Sequence, residues 1–357
     1  MHFYAITIEP RSPFGTPLKG DTIFGQFCWQ AAEHGGILAG GLDHWIAEYH
    51  ERPFAVFSSA WPKVDVQGSV AIRRPELPLS FLGEPDATAD CAARLKNRKQ
   101  NKGRRWLLVG RDFHIRLTWD NMLSDKEIYS RFTDALPADE RKRLRSADEL
   151  HRRPVSPAVQ QHNTINRLTM TTGKGEFAPY VVENSYYPPG LQLMIFAGIA
   201  DEACGPDALR ECLTLMGRWG FGRDASTGLG RFDVTGVEEL NLPPSTTQND
   251  ACLTLGPCVP EQDFWRAMYC TPFTRFGRHG AALLYTGKPF KNPVVMADEG
   301  AVLVPHPGQF PQKPYIGRAV GNISKAQPKA VCQGYSLFLP MCMPAQDNGG
   351  HHGSTNR

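Results

Sequence analysis

The chain has 357 residues, 41% hydrophobic and 21% charged, which is enough apolar content for a packed core and enough length for two domains at roughly 150 residues each. Its 39 basic and 36 acidic residues leave a formal charge of only +3. That excludes a global positive field, so any nucleic-acid contact must come from local patches. Nine scattered cysteines form no CxxC pair, no basic stretch followed by an apolar run opens the chain, and no apolar run approaches the roughly eighteen residues of a membrane span. The expectation is a cytoplasmic protein with reduced thiols, no metal, no cofactor and no membrane contact.

In chain order, His2 to Ile8 alternates as a strand, and Arg11 to Gly20 is a Pro/Gly loop ending in Lys19. Asp21 is placed to cap a helix running to about His34, with Ile23, Phe24, Phe27, Cys28 and Ala31 on one face. Phe54 to Trp61 predicts a second strand. Strand, loop, helix, strand is the opening of a ferredoxin-like or RNA-recognition-type unit. Arg94 to Arg105 carries seven cations and no acid, either a solvated face or a nucleic-acid contact. Phe113 to Trp119 alternates as a further strand, and the mixed charges of 124–153 predict surface helices around Pro137.

Gln161 to Tyr180 predicts a hairpin with a Gly173-Lys-Gly175 tip. His162, Asn163, Asn166 and Arg167 crowd hydrogen-bonding groups at its base. Leu191 to Ala200 is a buried-strand candidate, followed by helical spacing over Asp207 to Arg218. After the linker 240–248, Ala251–Leu255, Val294–Ala297, Ala301–Val304 and Gln333–Leu339 are β-like, and helical signal is confined to about Gln262–Met268.

Gly217 to Phe232 is the most informative stretch. Gly217, Gly220, Gly222, Gly228 and Gly230 offer bare backbone; Arg218, Arg223 and Arg231 supply planar cations; Ser226 and Thr227 add hydroxyls. Exposed N–H groups and guanidinium forks suit phosphate oxygens. Gly220-Phe221-Gly222 resembles a dinucleotide fingerprint, but here a helix precedes the glycines and a strand follows them, the reverse of a nucleotide-cofactor site. No His-Glu-x-x-His, P-loop or Gly-x-Ser-x-Gly pattern is present. His279 sits beside two cations, Arg275 and Arg278, where it could contact RNA, with no partner visible for acid–base work. Binding is favoured over catalysis.

Together these stretches resemble the fourth subunit of the type III-A CRISPR Csm complex, a RAMP protein of the Cas5 group. The resemblance rests on Ser12 to Trp29, His162 to Thr169, Gly220 to Phe232, Lys288-Pro-Phe-Lys-Asn-Pro-Val294 with Glu299-Gly300, and Gln333-Gly-Tyr335 before Leu339-Pro340. It implies an α+β fold of two ferredoxin-like (RRM-type) RAMP domains with a glycine-rich loop and a protruding β-hairpin. The domains would span 1–240, with the hairpin at about 161–180, and 249–345, followed by a disordered tail at 346–357. It implies a non-catalytic subunit that binds the crRNA 5′ handle, bridges the large Cas subunit with its cyclase-like palm domains to the backbone RAMP subunit of the Csm complex, and meets target RNA only indirectly. The implied RNA-binding set is Lys19, His162, Asn163, Asn166, Arg167, Arg218, Gly220, Phe221, Gly222, Arg223, Ser226, Thr227, Gly228, Gly230 and Arg231. The alternative is a metal-independent RAMP endoribonuclease that processes CRISPR precursor RNA.

Overall fold

The computed structural model describes residues 1–82, 90–146, 152–243, 246, 248–280, 283, 285 and 287–344. The tail expected from 346 onward lies outside the described residues.

Strand β1 (His2–Pro10) leads into helix α1 (Gly20–Glu33), a short helix α2 (Leu42–Ala47) and strand β2 (Ala55–Pro62). Lys19, not Asp21, is the N-cap of α1; Asp21 lies in the first turn and is buried. Ile23, Phe24, Phe27 and Ala31 form the buried face, as their spacing requires.

A long insertion separates β2 from its hairpin partner. It opens with β3 (Val70–Arg73), α3 (Cys91–Gly103), β4 (Arg104–Val109) and β5 (Met122–Ser124), whose strands form a sheet ordered β3-β4-β5. The basic run is thus helical in α3, capped by Asp90, whose carboxylate accepts from the Ala93 amide at 2.7 Å. Asn101 is the buried contact of α3, and Lys96, Lys99 and Lys102 are exposed. The strand expected at Phe113 to Trp119 does not form. Phe113 takes φ 51 and drops its ring into the core against Phe196, which breaks any pleat. Helices α4 (Asp125–Asp134) and α5 (Ala138–Arg145) flank Pro137 as expected, and Ser124 and Glu127 close a capping box on α4.

The insertion ends in the hairpin β6 (Ser156–His162) and β7 (Tyr180–Tyr186), paired from Ser156↔Tyr186 to His162↔Tyr180. The hairpin predicted at 161–180 is therefore only its distal loop, because Pro157 to Gln161 and Val181 to Tyr186 also pair.

Strand β8 (Leu193–Ile199), α6 (Pro206–Trp219) and β9 (Phe232–Glu239) complete the first sheet. Its order is β2-β8-β1-β9 and all pairs are antiparallel. This is the split β-α-β order of a ferredoxin-like unit, with α1 and α6 as its helices.

The rest of the chain supplies β10 (Ala251–Thr254), β11 (Trp265–Tyr269), β12 (Pro272–Arg275), β13 (Val294–Ala297), β14 (Val302–Pro305), β15 (Tyr315–Gly317) and β16 (Tyr335–Met341), five of which build a second sheet. Its order is β11-β14-β10-β16-β15, while β12 and β13 form a separate hairpin. Strands β11-β14-β10-β16 repeat the order of the first sheet, but no α-helix appears between them among the described residues. The helix expected at Gln262–Met268 is strand β11: Trp265 is buried and Arg266 exposed, the alternation of a strand with one face covered.

The two sheets share one apolar core, which runs from Ile6, Phe57 and Phe196 to Leu253, Val302, Leu337 and Leu339. A register shift in β2 between Phe57 and Ala60 makes the junction. Such a bulge frees backbone groups from the ladder. The Ser59 amide donates to Leu255 O at 2.9 Å, and the Phe57 amide and carbonyl both bond the buried Gln333 side chain. No helix among the described residues is long and apolar enough to cross a membrane.

Candidate nucleic-acid interface

Gly220, Gly222, Asp224, Gly228 and Gly230 all take left-handed backbone, with φ between 59° and 98°. The chain folds back so that the Phe221 amide bonds Gly230 O at 2.9 Å, and a Cβ on Gly230 would collide with the Phe221 backbone. The closed loop sits on the β1–α1 connection. Gly230 N donates to Pro13 O and Arg231 N to Ser12 Oγ, both at 2.8 Å, and Arg223 N donates to Thr16 Oγ1 at 2.9 Å. A Cβ on Gly222 would strike the Thr16 side chain.

Gly220, Gly222 and Gly230 therefore permit close packing and do not bare a row of amides for an anion, while Gly228 closes the surface turn with open space around it. Phe221 is a core residue 6.3 Å from the Phe14 ring, and Gly220 and Gly230 are buried. At the surface the loop presents a 3-10 turn, Ala225–Thr227, with no side-chain cap. Ser226 is exposed there, beside Gly228. Thr227 Oγ1 already donates to Asp224 O at 2.8 Å.

The cations divide into two groups. Arg218, in the last turn of α6, and Arg231, just before β9, are exposed with no acidic partner within 4.0 Å among the described residues. They can take phosphate without breaking an ion pair. Arg223 is held: Nη2 donates to Glu183 O at 2.9 Å and to Asn184 Oδ1 at 2.8 Å, while Nε lies 3.5 Å from Asp224. It ties the glycine loop to β7 and so sets where the hairpin emerges. Lys19 is also committed. It pairs with Asp298, stands 3.7 Å from Glu299 and lies 4.7 Å over the Phe273 ring. Its charge faces the β12–β13 hairpin and the turn that follows it.

The hairpin carries the other predicted residues away from the loop. Tyr180 is four residues beyond Asn184 on β7, about 13 Å at strand rise. His162 stacks on Tyr180 at 5.3 Å with the rings 13° apart. Asn166 shapes the tip: its Oδ1 accepts from Leu168 N at 2.9 Å and its carbonyl from Met170 N at 2.7 Å. Asn163 and Arg167 are exposed. Sequence reasoning overlooked the apolar residues among them. Leu168 is 95% exposed and Met170 77%, so the tip is an apolar wedge with polar flanks. Their signal was apolar side chains at neither period 2 nor period 3.6.

The site thus has three parts: a surface turn with Arg218 and Arg231, a clamp at Arg223, and a wedge 162–171. Glycine packing and one arginine hold them in fixed relation.

No protein-family model and no curated protein matches the chain. Solved structures do. A chain of the Csm3–Csm4 subcomplex in the type III-A CRISPR–Cas interference complex superposes with TM-score 0.53 and 15% identity, covering 96% of this chain and 99% of that one. A chain of the Csm1–Csm4 cassette in complex with cA4 gives TM-score 0.50 and 14% identity, covering 96% and 98%. Over 96% of its length, this chain has the fold found in those two CRISPR assemblies.

Proposed function

We propose that this chain is a subunit of a type III-A CRISPR effector complex that grips the repeat-derived 5′ handle of the CRISPR RNA, and that it acts by binding and not by catalysis. The observation that carries this reading is the fold likeness over 96% of the chain to a chain of the Csm3–Csm4 subcomplex. Csm4 is the component common to both matched assemblies, which supports a place between a large subunit and the first backbone subunit. Exposed Arg218 and Arg231 supply phosphate contacts, with Ser226 as a hydroxyl donor. His162, Asn163 and Arg167, around an apolar tip, suit splayed single-stranded bases. Arg223 acts as a positioning residue that fixes the hairpin relative to the loop.

The test is affinity purification of the tagged chain from its native host, with sequencing of bound RNA and identification of bound proteins. Short RNAs with one common 5′ end, recovered with a large Cas subunit, are the expected result. Heterogeneous RNA and no Cas partner would overturn the reading. Incubation of the purified chain with repeat RNA in EDTA addresses catalysis, and cleavage there would replace the binding role with a nuclease one. In direct binding, Arg218→Ala with Arg231→Ala should reduce the salt slope by about 0.7 per lost phosphate contact.

A further inference from the structure

Between Pro272 and Ala297 the sequence has no Asp or Glu, yet it carries Arg275, Arg278, Lys288 and Lys291 among Phe273, Phe276 and Phe290. Phe276 is 75% exposed and Phe290 67%. Arg278 lies over the Phe290 ring at 5.4 Å. Two bare rings with cations between them have no role in the core.

The segment is braced. Beyond the β12–β13 pairing, Lys291 N donates to Gly277 O at 2.8 Å and His279 N to Pro289 O at 2.9 Å. Asn292 N reaches Ile323 O at 2.6 Å. His279 Nε2 lies 2.6 Å from Ser324 Oγ, which itself accepts from the Ala326 and Gln327 amides. The Ser324 proton therefore goes to His279, whose ring accepts it as a neutral imidazole. Burial and nearby Lys291 lower the His279 pKa, in agreement with that state. His279 is a staple, and the rings beside it are held open, not left to collapse.

The placement matters as much as the chemistry. Arg275 forks onto Asp21 in the first turn of α1, at 2.6 and 3.0 Å. That turn follows the same β1–α1 connection on which the glycine loop sits.

We infer that the extended β12–β13 hairpin is a second single-stranded RNA contact, a ledge on which Phe276 and Phe290 stack bases while Arg278 and Lys288 take phosphates. The inference rests on the RNA-binding reading above and adds a site on the β12–β13 hairpin, apart from the second sheet. Base stacking on aromatic faces with interleaved cations is sequence-tolerant, and a segment without carboxylates suits a polyanion better than a protein surface of mixed charge.

Fluorescence anisotropy of the full chain with a labelled 12-nucleotide single-stranded RNA tests it. Phe276→Ala with Phe290→Ala should weaken binding about tenfold or more and leave the salt slope unchanged. Arg278→Ala with Lys288→Ala should weaken binding and lower the slope by about 1.4. Affinity within twofold of the parent in both variants overturns the ledge. If Arg218→Ala with Arg231→Ala still weakens binding in that case, the RNA-binding reading stands without it. A parent chain that binds no RNA overturns both. Since all four side chains are exposed, the variants should melt with the parent. As a second measurement, 4-thiouridine RNA should crosslink within 276–290, and crosslinks confined to other segments overturn the ledge.

Discussion

Gln333→Ala tests how the two sheets are joined. The side chain is fully buried. Its Oε1 accepts from the Phe57 amide at 2.9 Å, and its Nε2 donates to Phe57 O at 2.8 Å and Tyr335 O at 3.1 Å. Phe57 lies where β2 leaves its regular register, so its backbone groups have no ready substitute partner. Three lost hydrogen bonds at about 1 kcal/mol each, plus the cost of leaving buried backbone groups unpaired, come to about 3–5 kcal/mol. That is a large fraction of the ~5–15 kcal/mol that holds a typical protein folded. Urea unfolding followed by tryptophan fluorescence should show one transition in the parent and a lower midpoint at unchanged slope in the variant. A loss below about 1 kcal/mol would refute the account, since Phe57 must then find other partners. Two separate transitions in the parent would refute the shared core.

Other perturbations follow from the same geometry. Gly230→Ala should cost more than about 2 kcal/mol, because a left-handed φ of 71° is combined with a clash at Phe221, and a thermal melt reads it directly. Asp21→Asn removes the charge facing Arg275 and should destabilise by about 1–3 kcal/mol; a double-mutant cycle with Arg275→Gln should return most of that as coupling. Glu299 is half-buried, and its desolvation, with Asp298 adding to it, raises its pKa above the ordinary 4.5 despite Lys19 and the Ser59 hydroxyl. Its contribution to stability is therefore complete below pH 4.5 and is lost as pH climbs through the raised value. Glu299→Gln, which can still accept from Ser59, should gain on the parent over that interval. Parallel stability profiles from pH 4.5 to 8 would count against it.

The first sheet was legible because its elements are local. An apolar stripe gives α1, an apolar run gives β8, and helix, glycines and strand give the turn at 220–231. The glycines were seen but their purpose was not. Gly222 answers to Thr16 and Gly230 to Phe221, and a missing Cβ does not name its neighbour. Lys19 and Arg223 look like free cations in a string of letters, and only folding brings Asp298, Glu183 and Asn184 to them. The helix expected at Gln262–Met268 failed for the same reason. Whether a short apolar run becomes helix or strand depends on the partner it meets, and here that partner is β14. Lys288 and Phe290 lie in a stretch that carries the family resemblance and Phe276 and Arg278 do not, and nothing local says that Phe276 and Phe290 stay outside.

The position of the insertion also bears on how the chain is made. β2 ends at Pro62 and pairs with β8, which begins at Leu193. A ribosome adding ~5–20 residues per second takes about 7–26 s to cover that gap, while β1 and β2 wait unpaired. The Phe57 bulge waits longer still, until Gln333 emerges near the end of synthesis. Meanwhile β6 and β7, close in sequence, can already zip together. The nascent chain should therefore display its hairpin well before it closes its core, and depend on chaperones for most of its translation.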